Sequence, residues 1–462
     1  MLPFRSTSGR CVALVAALLQ VVGGVILDVD DPASIKNATR IVARGLMDYY
    51  KGNESGGAMV GLLPMPYYWW ESGAMWGAMV DYYRFTNDST YNNVTTEGLL
   101  SQIGPADDFM VPAQRTTEGN DDQAFWGFAA MSAAEQDYEP TPSGTPSWLQ
   151  LVINLWNTQV PRWDTSSCGG GFKWQIFKEN KGYNYKNSIS NGAFFLLAAR
   201  LARYTGNQTY VDWAEKSWDW SSEIGLIDKD YSVFDGADDK LNCSSLDHTE
   251  YSYNNAVYLY GAAVLYNYTN GSSIWEERTT GMLNASALFF DPYRNATNIM
   301  YESACEETST CNTDAQSFKA YLSRFMWATT QVAPYTQSAI TTLLRTSAKG
   351  AAASCSGGKD RVSCGSRWYT GSWDSLFGVG QQLSALEVMQ GLLINSTAPP
   401  KTGDNVYLAQ ARASASPVPL PSPTSTRTAP TSSQTSGGEL GRRVAAGSLL
   451  GACLALSMGA IA

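Results

Sequence analysis

A recurring pair of helices is the feature of this sequence that most constrains its fold. In each copy, a segment rich in alanine, glycine and aromatic residues ends in a short Thr/Asn/Gly turn, and a second helical segment follows. Three copies begin at Gly73 (GAMWGAMVDYYRFT), Gly192 (GAFFLLAARLARYT) and Asn254 (NNAVYLYGAAVLYNYT). Their turns carry residues that stop one helix and cap the next. The chain is therefore predicted to be a series of helical hairpins.

The hairpin pattern extends along the chain and gives helices of two alternating kinds. Small and apolar helices are predicted to begin near Glu71, Asp121, Asn191, Asn254, Gln316 and Ser375. Amphipathic helices are predicted near residues 33–50, 90–103, 147–160, 208–222, 275–289 and 335–347. Helices that are apolar on most faces belong inside, and helices with one polar face belong outside. Six of each predict an all-α fold, an (α/α)6 barrel of six inner and six outer helices, with an irregular helical domain or an open solenoid as the alternative.

The inner helices of such a barrel run in one direction, so their N-termini gather at one end. The residues there are aromatic, amide and carboxylate residues, namely Trp69-Trp70-Glu71, Asn120-Asp121-Asp122, Asn187 to Asn191, Tyr253-Asn254, Asp314 and Trp373-Asp374. Aromatic faces stack on sugar rings, and amides and carboxylates bond sugar hydroxyls. This end is predicted to form a glycan cleft, and core packing is the alternative for each aromatic residue.

Adjacent aspartates offer the paired carboxylates that cleavage of a glycosidic bond requires. Three such pairs occur, at Asp107-Asp108, Asp121-Asp122 and Asp238-Asp239. The middle pair stands at the start of an inner helix, where two close carboxylates would raise one pKa at the other's expense. Helix capping is the competing explanation, because Asn120 is a good N-cap and acidic residues in a first turn gain roughly 0.3–1 kcal/mol from the helix dipole.

The composition argues against several other kinds of site. The only histidine, His248, lies in a loop beside Cys243 and is interpreted as structural, no CxxC motif occurs, and neither a P-loop nor a GxGxxG fingerprint is present. We therefore predict no metal and no cofactor. The formal net charge of −10 argues against nucleic acid and polyanionic partners and suits a neutral ligand such as a glycan.

Both ends of the chain carry signals typical of the secretory pathway. Residues 1–24 combine two arginines, an apolar run and small residues, as in a signal peptide, with an uncleaved anchor as the alternative. Residues 406–436 form a Ser/Thr/Pro-rich stalk, and residues 437–462 combine small residues, a polar spacer and an apolar tail. That last combination predicts a glycosylphosphatidylinositol (GPI) anchor signal that is removed, with a single transmembrane helix as the alternative. Residues 25–405 are then the folded domain of an extracellular, membrane-anchored protein.

Glycosylation signals and cysteines agree with that compartment. Eleven N-x-Ser/Thr sequons occur along the chain. Outside the segments expected to be removed, six cysteines remain, an even number. Cys305–Cys311 and Cys355–Cys364 are close enough for local disulfides, which leaves Cys168 with Cys243; other pairings stay open at this point.

Several separated motifs, in order, resemble glycoside hydrolase family 76. They are WWESGAMWG, GNDDQAFWGFAAM, CGGGFKWQI with KNSISNGAFF, YSYNNAVYLYGAA, and WYTGSWD with GVGQQLSALEVMQ. More narrowly, the chain is similar to the fungal GPI-anchored cell-wall proteins that resemble mannan endo-1,6-α-mannosidase. The resemblance covers roughly residues 25–400 and the anchor signal.

The resemblance implies an (α/α)6 barrel and retaining chemistry on α-1,6-linked mannose. It implies that Asp121 is the nucleophile and Asp122 the acid/base, because these positions match the family's Asp–Asp motif. The sugar-contact candidates carried over from the family are Trp70, Trp174, Asn191, Asp235 and Tyr253.

Two outcomes of the reaction follow from a covalent mannosyl-enzyme, since water or a sugar hydroxyl can release it. Fungal wall members are thought to transfer the mannose-containing glycan of GPI-anchored wall proteins to wall glucan. Transfer is therefore the leading hypothesis, with the GPI anchor holding the enzyme near donor and acceptor. A hydrolytic endo-1,6-α-mannanase and a non-catalytic glycan-binding wall protein are the alternatives.

Overall fold

The computed structural model of the protein describes residues 24–403, apart from residues 53, 55–58 and 294. The predicted stalk and anchor signal, and all but the last residue of the predicted signal peptide, lie outside the described residues. Within the described part of the chain, no helix has both the length and the apolar character needed to cross a membrane.

Twelve α-helices make up the described domain and alternate in position as the hairpin pattern predicts. The inner helices are α2 (Trp69–Thr86), α4 (Asn120–Glu135), α6 (Ser188–Thr205), α8 (Ser252–Tyr268), α10 (Phe318–Val332) and α12 (Val379–Gln390). The outer helices are α1 (Pro32–Met47), α3 (Asn92–Leu100), α5 (Trp148–Gln159), α7 (Gln208–Glu223), α9 (Ser273–Ala285) and α11 (Gln337–Ser354). Successive inner helices pack against each other, and α12 packs against α2 to close the ring. The (α/α)6 barrel is confirmed.

Burial separates the two sets of helices. Helix α8 is buried on all faces over Asn254–Tyr266, whereas α1 buries one stripe that includes Ile35, Ala38 and Val42 at helical spacing. Inner helices approach closely where glycine leaves room: a Cβ on Gly261 would lie 2.3 Å from the ring of Phe195. This close packing forms one hydrophobic core inside the ring.

One predicted helix start is wrong. Helix α12 begins at Val379 and not near Ser375, because the preceding residues form a loop closed by side chains. Asp374 accepts hydrogen bonds from the backbone N–H groups of Arg367 (2.9 Å) and Leu376 (3.1 Å), and Ser375 has a φ of 69°. A left-handed residue cannot continue into a right-handed helix.

The ends of the barrel differ in what they contain. We call the end at the N-termini of the inner helices the open end, and the opposite end the closed end. Toward the closed end the interior holds buried ion pairs: Arg324 lies 2.9 Å from Asp81 and 2.7 Å from Glu387, and Arg200 lies 2.7 Å from Glu135.

A small antiparallel sheet and three disulfides shape the loops. The strands are β1 (Tyr185–Asn187), β2 (Gly236–Asp238) and β3 (Leu246–Asp247), in the order β1-β2-β3, with Tyr185 opposite Asp238 and Gly236 opposite Asp247. The sheet leads directly into α6 and so belongs to the open end. The disulfides are Cys168–Cys243, Cys305–Cys311 and Cys355–Cys364, which confirms the predicted pairing.

Candidate active site

A cleft of about 400 Å³ lies at the open end of the barrel. Its walls come from the first turns of inner helices and from the loops before them. The polar and aromatic lining comprises Trp70, Asp121, Asp122, Phe125, Trp174, Tyr185, Asn187, Asp235, Tyr251, Tyr253, Asn312, Asp314 and Phe318. The glycan cleft predicted from helix direction is thus present as a cavity of suitable chemistry.

The first turn of α4 presents the adjacent aspartates to this cleft. Gly119 precedes the helix, and its backbone N–H donates to Oδ2 of Asp122 over 2.6 Å. A Cβ at position 119 would lie 2.7 Å from Oδ1 of Asp121, so glycine permits the close approach of the carboxylates. The expectation that Asn120 is the N-cap is wrong, because Asn120 is the first helical residue. Asp122 therefore caps the helix and also faces the cleft.

Asp121 is buried, with 8% of its surface exposed. Its Oδ1 accepts a hydrogen bond from the hydroxyl of Ser190 (3.0 Å), and Trp174 also donates to this carboxylate. Burial raises the pKa of Asp121 to about 7, although these hydrogen bonds favour the ionised form and lower it. Near neutral pH, Asp121 is close to the midpoint of its titration.

The pKa of Asp122 is raised as well. Burial raises the pKa of Asp122 well above its usual range, the charge of Asp121 raises it further, and the N–H of Gly119 acts in the opposite direction. Repulsion between the two charges favours a state with one proton, and the hydrogen bonds from Ser190 and Trp174 favour the ionised form of Asp121. The arrangement gives one ionised carboxylate beside one carboxylic acid, as acid-assisted attack at an anomeric carbon requires.

Asp235 faces the cleft from the segment that leads into β2. Its Oδ2 accepts a hydrogen bond from the hydroxyl of Tyr185 over 2.8 Å, and its Oδ1 lies 3.4 Å from the side-chain nitrogen of Asn254. Burial raises the pKa of Asp235 to about 6, and these two hydrogen bonds lower it. Asp235 and Tyr185 form a hydrogen-bonded polar pair in the wall of the cleft.

Trp70 and Asp314 form a second polar contact in the cleft wall. The indole N–H of Trp70 donates to Oδ1 of Asp314 over 3.0 Å, while its ring lies 4.6 Å from that of Phe125 and 5.7 Å from that of Tyr321. Burial raises the pKa of Asp314, and the hydrogen bond from Trp70 lowers it. The indole therefore both lines the cleft and orients a carboxylate.

The other aromatic candidates are fixed by packing. The ring of Tyr253 stacks on that of Phe318 with centroids 3.7 Å apart and an angle of 8° between planes. Trp174 lies against Gly182, where a Cβ would come within 2.4 Å of the indole. Both side chains line the cleft as rigid surfaces.

Asn191 is not brought into the cleft. Its side chain is fully buried, accepts from the backbone N–H of Phe172 (2.8 Å) and donates to the carbonyls of Phe172 (3.1 Å) and Asn187 (2.8 Å). Since all of these contacts are to backbone, Asn191 holds the loop before Trp174 against α6. The prediction of a direct sugar contact by Asn191 is therefore corrected.

Tyr185 is a polar cleft residue that the sequence did not indicate, whereas Asp314 was predicted at this end of the barrel but not as a sugar contact. Tyr185 lies in a three-residue strand, and Asp314 lies in the loop before α10. The position of Asp314 near an inner-helix N-terminus was the signal that placed it at the cleft. The hydrogen bond between Tyr185 and Asp235 spans 50 positions and has no local signature.

The cleft carboxylates have no cationic partner. Among the described residues, no salt bridge involves Asp121, Asp122, Asp235 or Asp314. The same part of the chain contains no group of three or more His, Cys, Asp or Glu side chains arranged to hold a metal ion. The geometry supports chemistry by the protein's own carboxyl groups.

Sequence relatives share nearly the whole domain. Residues 34–404 match the family model described as Glycosyl hydrolase family 76. The chain is 48% identical over 400 residues to mannan endo-1,6-alpha-mannosidase DCW1 of Candida glabrata, covering 86% of this chain and 88% of that protein. It is 42% identical over 381 residues to mannan endo-1,6-alpha-mannosidase DFG5 of Saccharomyces cerevisiae, covering 82% of each.

Solved structures agree with the fold. The crystal structure of Dfg5 from Chaetomium thermophilum in complex with glucosamine is 41% identical, with a TM-score of 0.78 over 81% of this chain and 94% of that chain. An inactive α-1,6-mannanase from a Salegentibacter species, with two aspartates changed to asparagine and with α-1,6-mannotriose bound, is 16% identical, with a TM-score of 0.61 over 78% and 99% of the two chains. The second likeness concerns the fold alone. On the family model and the close relatives, this chain belongs to glycosyl hydrolase family 76 and is a glycoside hydrolase.

Proposed function

We propose that this enzyme cleaves α-1,6-linked mannose with retention of configuration and transfers the glycan to a sugar acceptor in the cell wall. The observation that carries the proposal is the pair of adjacent carboxyl groups in the cleft, Asp121 bonded by Ser190 and Asp122 by the N–H of Gly119, with no cation beside them among the described residues. Relatives at 42–49% identity named mannan endo-1,6-alpha-mannosidase support the substrate class.

In the first step, the ionised carboxylate of Asp121 attacks the anomeric carbon of mannose. The bond to the leaving oxygen breaks, and that oxygen takes the proton of Asp122. The product is a mannosyl ester of Asp121 beside an ionised Asp122. The hydrogen bonds from Ser190 and Trp174 keep Asp121 oriented for this attack.

In the second step, an acceptor hydroxyl gives its proton to Asp122 and attacks the same carbon, which releases Asp121. Two inversions give net retention. Water as acceptor gives hydrolysis, and a hydroxyl of wall glucan gives transfer. The acceptor therefore decides between the two outcomes, while the residues that act stay the same.

The charge of the cleft supports a donor that includes an amino sugar. Asp235 and Asp314 lack cationic partners among the described residues, so a sugar ammonium group would be attracted to them. The relative from Chaetomium thermophilum crystallised with glucosamine supports this donor chemistry. Because such a glycan contains an amino sugar, we propose the GPI-derived glycan of wall mannoproteins as the natural donor.

The proposed site of action is the outer face of the plasma membrane or the wall. The signal peptide, stalk and anchor signal read from the sequence support it. Release of the protein from intact cells by a phosphatidylinositol-specific phospholipase would test this placement. A protein that stays bound after complete cleavage of a control GPI protein would contradict it.

Transfer is tested with the purified domain, an α-1,6-mannooligosaccharide donor and a fluorescently labelled glucan oligosaccharide. We expect the labelled acceptor to gain mannosyl mass, and we expect Asp121→Asn to abolish this product. Free reducing mannosides without labelled product at any acceptor concentration would reject transfer and retain hydrolysis. No turnover of donor at all would favour a non-catalytic glycan-binding protein.

A further inference from the structure

An arginine lies directly behind the first turn of α4, on the side away from the cleft. Arg162 follows α5 and is half-buried. Its Nη1 donates to Oδ1 of Asn120 over 2.8 Å, and its Nη2 donates to Oε1 of Gln123 over 2.6 Å. One planar guanidinium group thus bonds two side chains of the same helical turn.

The two acceptors flank the aspartate pair in sequence. Asn120 precedes Asp121, and Gln123 follows Asp122. Residues three apart lie on one face of a helix, while the residues between them point elsewhere. Arg162 therefore bonds the face of this turn that points away from the cleft, while the two carboxylates lie on the face that lines the cleft.

Both acceptors are held in place by further hydrogen bonds, so the contact between Arg162 and the first turn of α4 is rigid. Asn120 donates to the carbonyl of Lys173 over 2.8 Å, and Gln123 donates to the carbonyl of Asp108 over 2.8 Å. The Nε of Arg162 donates to the carbonyl of Thr158 over 3.0 Å, which ties the guanidinium to α5. The first turn of α4 is thereby fixed to three separate chain segments.

We propose that Arg162 is a positioning residue for the Asp121–Asp122 pair, acting through Asn120 and Gln123. The inference rests on the proposed function, in which these carboxylates attack and protonate the substrate. Their separation must hold near 5–5.5 Å in a retaining enzyme, and a misplacement of about 1 Å costs about 100-fold in rate. A helix N-terminus frays readily, so a bond across its first turn counteracts that motion.

Arg162→Lys is the direct test, because an ammonium group cannot donate to both oxygens in the planar geometry of the fork. We expect kcat on an α-1,6-mannoside to fall about 100-fold with KM changed less than about twofold. The matched control is Arg200→Lys. Arg200 is buried and bonds Glu135 at the other end of the same helix. We expect this control to lower the melting temperature and leave kcat of the folded protein within about twofold.

A coupling test separates positioning from general destabilisation. Gln123→Met keeps Arg162 and removes one acceptor, and we expect a fall in kcat of about tenfold. Combined with Arg162→Lys, it should cost clearly less than the product of the two single losses, because both changes remove the bond between Arg162 and Gln123, and only the bond from Gln123 to the Asp108 carbonyl is lost separately. If Arg162→Lys does not fold, Gln123→Met alone decides the question.

The outcomes are distinguishable from failure of the proposed function. If Arg162→Lys or Gln123→Met acts only through KM or melting temperature, or if the two losses in kcat simply add, the positioning role is wrong. If Asp121→Asn retains wild-type turnover, the proposed function itself fails. Loss in Asp121→Asn with normal kcat in both Arg162→Lys and Gln123→Met rejects only this inference.

Discussion

The cleft at the open end and the interior at the closed end surround their carboxylates differently. At the closed end, Asp81 and Glu387 share Arg324, and Glu135 is paired with Arg200. At the open end, Asp121 is buried and Asp122 partly buried, and their hydrogen bonds come from neutral donors. Burial raises the pKa of Glu387 to about 7 even though the charge of Arg324 lowers it, so a cationic partner does not by itself keep a buried carboxylate ionised. The difference lies in bonding: the closed-end carboxylates are held by cations inside the core, whereas the Asp121–Asp122 pair has no cation and lines the cleft.

The largest expected effect comes from the open end. Asp121→Asn removes the nucleophile and should lower turnover of an α-1,6-mannoside by about 10⁴-fold or more. Asp122→Asn should cost about 10²–10⁴-fold with a natural leaving group, because the acid is lost. Asparagine can still accept the hydrogen bond from Gly119, so the helix cap remains. A wild-type turnover rate in either variant, measured in a stopped assay with an α-1,6-mannoside, would contradict the assigned roles of the pair.

The next effect is at the closed end and is measured as stability. Arg324→Met leaves Asp81 and Glu387 buried without their cation and should lower the free energy of unfolding by about 3–5 kcal/mol. The control is Arg115→Met, which removes an exposed ion pair with Glu179 and should change stability very little. Chemical denaturation measures both. Equal destabilisation by the two variants, or loss of kcat in folded Arg324→Met, would contradict the division between the ends.

The pH dependence sharpens the comparison, because burial also raises the pKa of Glu387 to about 7, yet only the carboxylates proposed to act on the substrate should control turnover. Asp121 must be ionised to attack, and its pKa is raised to about 7, so turnover should fall as pH drops below that value. Asp122 must be protonated, and its pKa is raised well above its usual range, so turnover should fall again at more alkaline pH. A bell-shaped profile is expected. With an aryl mannoside that needs no acid, Asp122→Asn should lose the alkaline limb, and an unchanged limb would reject its assignment.

The smallest effect tests the cleft wall. Trp70→Phe keeps the ring but removes the hydrogen bond to Asp314, and hydrogen bonds to charged groups are worth about 1.5–3 kcal/mol. We expect KM for the mannoside to rise about tenfold, in keeping with the lower end of that range. Trp69→Phe is the matched control, since Trp69 donates to Gln102 (3.0 Å) outside the cleft. A similar rise in KM for both variants would show a general loss of packing.

Features with a local signal could be predicted from the sequence. Helical periodicity and turn residues recur along the chain, and from them the number of helices and their inner or outer placement could be predicted. The short spacings of Cys305–Cys311 and Cys355–Cys364 led to the full disulfide pairing. Asp121 and Asp122 are neighbours at a helix start, and their placement at the open end needed only the direction of the inner helices.

Features that depend on contacts between distant segments could not be predicted. Arg162 reaches Asn120 across 42 positions, and Trp70 reaches Asp314 across 244. Asn191 shows the same limit. Its position at the start of α6 predicted a place in the cleft, but its side-chain amide is hydrogen-bonded to the backbone of Phe172. Ser375 failed as a helix start because the side chain of Asp374 closes a loop there. In each case the outcome depends on which hydrogen-bond partner lies nearby in the folded chain.

The central claim is that Asp121 carries the glycan during turnover, and trapping that intermediate tests it most directly. A 2-fluoro-mannosyl donor with an activated leaving group forms the ester but releases it slowly, so the labelled enzyme can be digested and its peptides weighed. The account predicts one label per enzyme molecule, on Asp121, and no label on Asp121→Asn. A label on another residue, or turnover without any labelled enzyme and with inverted product, would contradict it.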